Sequence, residues 1–393
     1  MKHLKSIFRT LCLLAAVLLV STDVKAQNDA VTAYYDSVEV SLLTCQPHEE
    51  IYSLYGHTAL RYHDLKRNED WAFNYGIFNF HAPHFVLRFV FGLTDYELGV
   101  IPTDIFKQEY RRFGSQVTEQ VLNLTNEEKH AIHKALYENY RPENRVYRYN
   151  YFYDNCTTRA RDMVERNING QVRYQDNPDY EPTYREMVRE CTMAHPWATW
   201  GNDFLLGIKA DLKTDQRQQE FLPNNLLHDF ARAQIIRTDG RYVPLVKETR
   251  QIVPSGVQIV EQDFPLTPTE CAIILLIISL LVFAYEWKKR RTVKWWDILL
   301  MTMQGLMGLV LFVMIFSQHP TTSINLQILL FNPLPLFYIY NMYRRKKTHY
   351  WNLLVCMVFL FYIGGIWQDY AEGLEIVALC LLIRYWSNLR NAK

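Results

Sequence analysis

Two stretches of the chain combine residue types able to do nucleophilic chemistry. In Tyr55 to Phe78, Leu60 and Tyr62 alternate along one segment and Trp71, Phe73, Tyr75 and Ile77 along another, with polar Asp64 to Asp70 between them. The pattern predicts a β-hairpin with one aromatic face. Side chains alternate with period two, so the opposite face carries His57, Ala59, Asn74 and Gly76. Pairing about the centre of the turn sets His57 opposite Gly76 and diagonal to Asn74, within reach for an amide oxygen to hold an imidazole nitrogen. That is the orienting role in a Cys-His-Asn system. His63 shares the face and is the rival for it. The plain alternative is that His57 is a satisfied strand histidine.

The second stretch runs from Tyr147 to Val164. Tyr147, Tyr149, Tyr151 and Tyr153 alternate as in a strand, Asp154-Asn155 makes the stop, and Ala160, Met163, Val164 and Ile168 follow at helical spacing. Asn155 is a natural N-cap, which makes Cys156 the first residue of the helix. There the backbone N–H groups and the positive end of the helix dipole favour a thiolate, and the same N–H groups suit an oxyanion. Taken alone, Cys156 reads equally as a buried structural thiol. An exported cysteine at a capped helix start, with a histidine on a strand face elsewhere, favours the nucleophile.

These elements sit in a chain of 393 residues with 42 Lys and Arg against 41 Asp and Glu, a net charge of +1 that leaves no field to collect nucleic acid. Residues 1–26 read as an export signal: Lys2, Lys5 and Arg9, then an apolar run from Leu11 to Val20, then Val24-Lys25-Ala26. No cysteine follows the run, so the chain does not read as a lipoprotein itself. Of seven cysteines, Cys45, Cys156 and Cys191 fall in the exported part, an odd number for an oxidising compartment. A Cys45–Cys191 disulfide would leave Cys156 free; the sequence does not decide this.

From residue 269 onward, five apolar stretches alternate with short loops, at 271–287, 296–316, 324–343, 350–367 and 372–387. Basic residues cluster after the first, third and fifth, as in Lys288 to Arg291 and Arg344 to Lys347. The positive-inside rule makes those loops and the C-terminus cytoplasmic and the region before Cys271 external. Asn332-Pro333-Leu334-Pro335 interrupts the third stretch, which we read as a kink for helix packing. Between signal and spans, strand-like alternation fills Val38 to Phe80 and a helical pattern Thr125 to Asn139. Pro178, Pro182, Pro196, Pro223, Pro244 and Pro254 break up the stretch beyond Gly170. The expected division is a catalytic core at 27–170, a loop-rich appendage and linker at 171–268, and a transmembrane domain at 269–393.

Tyr55-Gly56-His57-Thr58-Ala59-Leu60-Arg61, Phe73-Asn74-Tyr75-Gly76, Gln120-Val121-Leu122-Asn123-Leu124 and Tyr153-Asp154-Asn155-Cys156-Thr157-Thr158-Arg159 together resemble the signature set of the Lnb N-terminal periplasmic domain family of Bacteroidetes membrane proteins. The basic-loop membrane tail resembles that family too. The resemblance implies lipoprotein N-acyltransferase activity at the inner membrane, with a phospholipid acyl donor, a diacylated lipoprotein acceptor and no cofactor. His-then-Cys order, with Asn directly before the Cys, is also similar to permuted papain relatives of the NlpC and lecithin:retinol acyltransferase types. The implied fold is an α+β, permuted papain-like exported domain followed by an all-α bundle of about five transmembrane helices. Position for position, His57 matches the family histidine and Cys156 its cysteine, with Asn74 inferred as third member. Tyr55, Arg61, Tyr75, Tyr153, Asn155 and Arg159, by their place in these motifs, are expected to bind substrate.

Two other readings stay open. A membrane-tethered Cys-His peptidoglycan or peptide hydrolase of the NlpC type uses the same dyad, and a binding or sensing protein uses Cys and His only structurally. Phe85 to Phe91 is an almost unbroken apolar patch beside the hairpin, suited to hold an acyl chain, to dip into the outer leaflet, or to lie buried in the core. His81 and His84 lack acidic or Cys partners at metal-ligand spacing, so no metal is expected.

Overall fold

A hairpin with a large-residue face and a small-residue face forms where the alternation predicts it, and the rest of the N-terminal part is assembled on it. In the computed structural model the described residues are 33–48, 50–78, 83–258, 263–344 and 349–391. The expected export signal, His81, Arg345 to Lys347 and Lys393 lie outside them. Strands β1 (Val38–Cys45), β2 (His57–Asp64) and β3 (Glu69–Ile77) lead to α1 (Phe85–Val90), β4 (Asp95–Pro102), α2 (Thr103–Arg112) and β5 (Val117–Leu122). Then come α3 (Asn126–Tyr140), β6 (Val146–Arg148) and α4 (Cys156–Glu165). Seven antiparallel strands form the main sheet in the order β10-β5-β1-β2-β3-β4-β6, where β10 is Val246–Val253.

Register follows from the pattern. Ala59 pairs with Asn74 and Leu60 with Phe73, as pairing about the turn centre requires. Leu60, Tyr62, Phe73 and Tyr75 pack on one face against Ile132 and Leu136 of α3 and Ala160 and Val164 of α4. Those helix residues are spaced four apart, the repeat that puts apolar side chains on one stripe. The opposite face presents Ala59 and Ala72 to Phe106 of α2, where small strand residues leave room for a large one. Helix α3 starts at a capping box, Thr125 Oγ1 accepting from Glu128 N and Glu128 Oε2 from Thr125 N.

Two stretches differ from expectation. The strand expected along Tyr147 to Tyr153 is cut to Val146–Arg148, because Asn150 Oδ1 accepts from the backbone N–H groups of Phe152 and Tyr153 and turns the chain. The stretch beyond Gly170 is richer in structure than its prolines suggest. It contains β7 (Gln171–Arg173), α5 (Tyr184–Thr192), α6 (Pro196–Leu205), α7 (Gln216–Gln219), α8 (Pro223–Arg232), β8 (Gln234–Ile236), β9 (Tyr242–Pro244) and β10 (Val246–Val253). Pro196 and Pro223 open helices, where the missing N–H costs nothing. Strand β10 joins the main sheet beside β5, and Gln120 Nε2 of β5 donates to Leu227 O of α8.

The C-terminal region is helical: α9 (Pro268–Lys289), α10 (Lys294–Met314), α11 (Leu334–Tyr343), α12 (Tyr350–Gly364) and α13 (Leu374–Asn391). Among the described residues, α9 and α10 are long and apolar enough to cross a membrane. The third expected span is not one helix. It consists of a 3₁₀ turn at Leu326–Leu329, a break, and the ten residues of α11, about 15 Å of helix. Pro333 and Pro335 start α11, and the broken segment lies so close on α10 that a Cβ at Gly308 would collide with the Asn332 backbone. Lys294 Nζ donates to Tyr343 O, and Arg390 covers the Trp287 ring, so the basic helix ends gather at one end of the bundle.

The other end is fastened to the N-terminal part. Asn325 Nδ2 and Gln327 Nε2 donate to the Phe204 carbonyl at the end of α6, Gln368 Nε2 donates to Leu206 O, and Gly207 N to Thr321 O. Arg189 of α5 pairs with Asp369 at 3.0 Å. The three amide side chains are buried, so this joint is a satisfied polar interior rather than a wet contact.

Candidate active site

His57 opens β2, Asn74 lies on β3, and Cys156 is the first residue of α4, which packs on both strands. Asn155 caps α4: its Oδ1 accepts from Thr157 N and Thr158 N, each at 2.9 Å, and its own N–H donates to Thr158 Oγ1. Its Nδ2 donates to Tyr151 O and Phe221 O, which ties the helix start to the segment before α8. Thr58 Oγ1 and Thr157 Oγ1 lie 3.1 Å apart and close the helix onto β2. Cys156 is thereby delivered to the strand end where His57 stands.

The hairpin is bent at that point. Register shifts between Asn74, opposite Gly99, and Ile77, opposite Glu97, which leaves an extra residue in β3. Gly76 takes up the bulge at φ +94°, a backbone region where a side chain is strained. A Cβ built on Gly76 would lie 3.8 Å from His57 Cε1 and 3.9 Å from Cys156 Cβ, so the imidazole and the thiol flank one small residue.

Asn74 Oδ1 lies 2.5 Å from His57 Nε2, which leaves the other ring nitrogen for the thiol of Cys156, its hydrogen-bond partner. His63 pairs with Asp70 far along the same hairpin. Burial opposes a charge on Cys156, but the His57 charge and hydrogen bond, the Thr58 N–H and the Thr157 hydroxyl outweigh it and bring the thiol down to about 7. Burial likewise opposes a charge on His57, and the attraction of Cys156 together with the Asn74 bond raises its pKa above the usual imidazole value. The two shifts describe one thiolate–imidazolium pair. Cys45 and Cys191 behave oppositely: burial pushes the Cys45 thiol well up, and burial beside Glu190 takes Cys191 to about 12.

The disulfide alternative is not realised. Cys45 is buried on β1 with the α2 cluster, Cys191 lies on α5 beside the Phe152 cluster, and both are free thiols.

The expected substrate-binding residues separate into two groups. Tyr55 faces Tyr151 edge-on at 5.1 Å and accepts from Asn202 Nδ2, and Asn155 underlies Cys156 as its cap. Both sit beside the thiol's own segment. The others do not converge on Cys156. Arg61 is buried and saturated by Asp70 and by Glu119 at 2.8 Å. Tyr75 is buried and donates to Asn139 Oδ1. Arg159 is bound by Asp154 and lies 3.6 Å over the Tyr147 ring. Tyr75, Tyr153 and Arg159 line a separate cavity of about 510 Å³ that does not include Cys156. Sequence reading passed over Tyr96 and Tyr149, which stack at 4.1 Å against the site; the odd-numbered tyrosines before Cys156 were the available signal.

Helix-start N–H groups were expected to serve an oxyanion. Thr157 N and Thr158 N are instead taken by Asn155, which leaves the Cys156 N–H as the donor at the helix start outside the cap. Among the described residues, no three His, Cys, Asp or Glu side chains converge as a metal site would require.

Two family models match the chain: the Lnb N-terminal periplasmic domain over residues 26–190 and the Lnb transmembrane domain over residues 259–393. The chain belongs to the Lnb family. Together the two matches cover most of its length, in the order periplasmic domain then membrane domain. Neither the curated proteins nor the solved structures compared gave a match. Lnb membership makes the C-terminal helices a membrane domain and indicates a membrane-anchored enzyme. Within the Lnb N-terminal domain, Asn74 holds the His57 imidazole and His57 faces the lowered thiol of Cys156.

Proposed function

We propose that this Lnb chain is a lipoprotein N-acyltransferase, and that His57, Asn74 and Cys156 carry the reaction. The observation that carries the reading is the thiol of Cys156, lowered to about 7 beside an imidazole held by Asn74, at the start of a capped helix in a membrane-anchored domain. The Cys156 thiolate attacks an ester carbonyl of a phospholipid. Collapse of the tetrahedral adduct breaks the C–O bond, and His57 gives its proton to the lysophospholipid oxygen. The acyl chain is then a thioester on Cys156. The α-amine of the lipid-modified N-terminal Cys of an apolipoprotein attacks that thioester, His57 takes the amine proton, the C–S bond breaks and the thiolate is restored. The Cys156 N–H is the donor we assign to the oxyanion of both adducts.

In this reading residues 27–170 carry the reactive groups in a permuted papain-like arrangement, with histidine before cysteine, and 171–268 connect them to the membrane domain. Five spans at 269–393, with the basic helix ends cytoplasmic, hold the reactive domain on the periplasmic face of the inner membrane. Both substrates are lipid-anchored and already there.

The test is intact-mass spectrometry of the purified full chain in nanodiscs containing phospholipid, beside Cys156→Ser, followed by a diacylated lipopeptide. A hydroxylamine-labile acyl adduct on Cys156 that passes to the peptide α-amine is expected. No adduct and no N-acylated product, with muropeptide cleavage instead, assigns the same groups to hydrolysis.

A further inference from the structure

Helix α1 is short and apolar, yet it faces outward: Leu87 is 58 % and Phe89 48 % exposed. It is held at a defined level. Gln318 N donates to Phe91 O at 2.9 Å, and a His319 ring nitrogen lies 3.0 Å from Phe89 O. Gln318 and His319 lie just past α10, with Phe312 exposed in its last turn and Ile315 and Phe316 exposed immediately after it. The outward side chains of α1 therefore continue the apolar surface of a membrane helix at the end where that helix meets the exported domain. The one charged residue of α1 is paired: Arg88 Nη2 donates to Leu93 O and to Asp95 Oδ2 at the start of β4. Exposed apolar side chains beside a cation that is neutralised by its own ion pair suit an element that lies in a lipid interface.

We propose that α1 is an interfacial foot that enters the outer leaflet, with Leu87 and Phe89 among the lipid acyl chains. Taking phospholipid as its acyl source rests on the function proposed above. The segment carrying α1 joins β3, which bears Asn74, to β4, which bears Tyr96. Phe78 stacks on Tyr96 at 4.8 Å, and Tyr96 stacks on Tyr149 at 4.1 Å beside Cys156. This row gives an acyl chain drawn up beside α1 an apolar wall to follow towards the sulfur.

The experiment uses the full chain in nanodiscs with p-benzoylphenylalanine in place of Leu87, of Phe89, or of Tyr242, an exposed residue of β9. Illumination is expected to give phospholipid adducts at positions 87 and 89 and none at 242. The double variant Leu87→Asp, Phe89→Asp should lower the ratio of Cys156 acylation from bilayer phospholipid to that from detergent-dispersed phospholipid by about tenfold. Absence of adducts at 87 and 89, or equal adducts at 242, overturns the foot while leaving acyl transfer intact. Adducts at 87 and 89 in a protein whose Cys156 never acylates would instead keep the foot and overturn the acyl-transfer reading.

Discussion

Asn74 Oδ1 reaches His57 Nε2 across adjacent strands, whereas His63 stands six residues along β2 from His57, about 20 Å away. The orienting contact is therefore made by the amide and cannot be made by the second histidine. Asn74→Ala is expected to lower Cys156 acylation roughly a hundredfold, through loss of the held imidazole. His63→Ala should change it less than twofold. Single-turnover acylation of the two purified variants decides between them, and a collapse in His63→Ala alone would reverse the assignment.

The pH dependence has a definite sign. Cys156 titrates at about 7, so its thiolate fills as pH rises through that value, while the raised His57 keeps its proton to higher pH than a free imidazole. Alkylation of Cys156 by iodoacetamide, followed by peptide mass mapping, should rise with a midpoint near 7. In His57→Ala the attraction is gone and burial acts alone, so the midpoint should move above the ordinary thiol value of about 8.5. A midpoint that stays near 7 in that variant would mean that His57 does not set the thiol.

Arg61 belongs to a motif shared with the site, but its guanidinium is spent between Asp70 and Glu119. Arg61→Ala leaves Glu119 buried with its close cation removed, a loss of about 3–5 kcal/mol of stability. Thermal unfolding in nanodiscs should register it directly. A variant of unchanged melting temperature with a raised KM for phospholipid would return Arg61 to substrate binding.

Asn155→Ala removes the acceptor for Thr157 N and Thr158 N and both bonds to Tyr151 O and Phe221 O. Loss of the cap alone costs about 1–2 kcal/mol. The freed helix start should also let Cys156 drift from His57, so its alkylation at pH 7 should slow along with the drop in melting temperature. Asn155→Asp restores the acceptor for the helix start but sets a buried carboxylate oxygen against the carbonyls of Tyr151 and Phe221, so it should keep the cap and still melt below the parent protein.

Gly76→Ala places a methyl between imidazole and thiol at a backbone angle that costs about 1–2 kcal/mol. Acylation is expected to fall about tenfold while circular dichroism stays unchanged. Activity equal to the parent protein would show that the bulge tolerates a side chain.

Local periodicity made the hairpin, the capped helix and the His57–Asn74 diagonal legible before any coordinates, because each depends on residues close in sequence. Packing between distant segments was not legible. Whether Arg61 is spent depends on Glu119 of β5, and whether Cys45 can meet Cys191 depends on which cluster each joins. The prolines beyond Gly170 suggested loops, yet two of them sit at helix starts, and β10 finds its place only because β5 offers an edge. The tyrosines before Cys156 alternate like a strand, but the side chain of Asn150 competes for the backbone and turns it.

The buried amides of Asn325, Gln327 and Gln368, bonded to the carbonyls that end α6, leave the periplasmic domain no swivel on its membrane base. Such an enzyme is a bench of fixed height and not an arm. An acceptor comes to it by sliding in the plane of the bilayer, so under the proposed function turnover follows the number of lipoproteins per area of membrane and is indifferent to the volume of the compartment above.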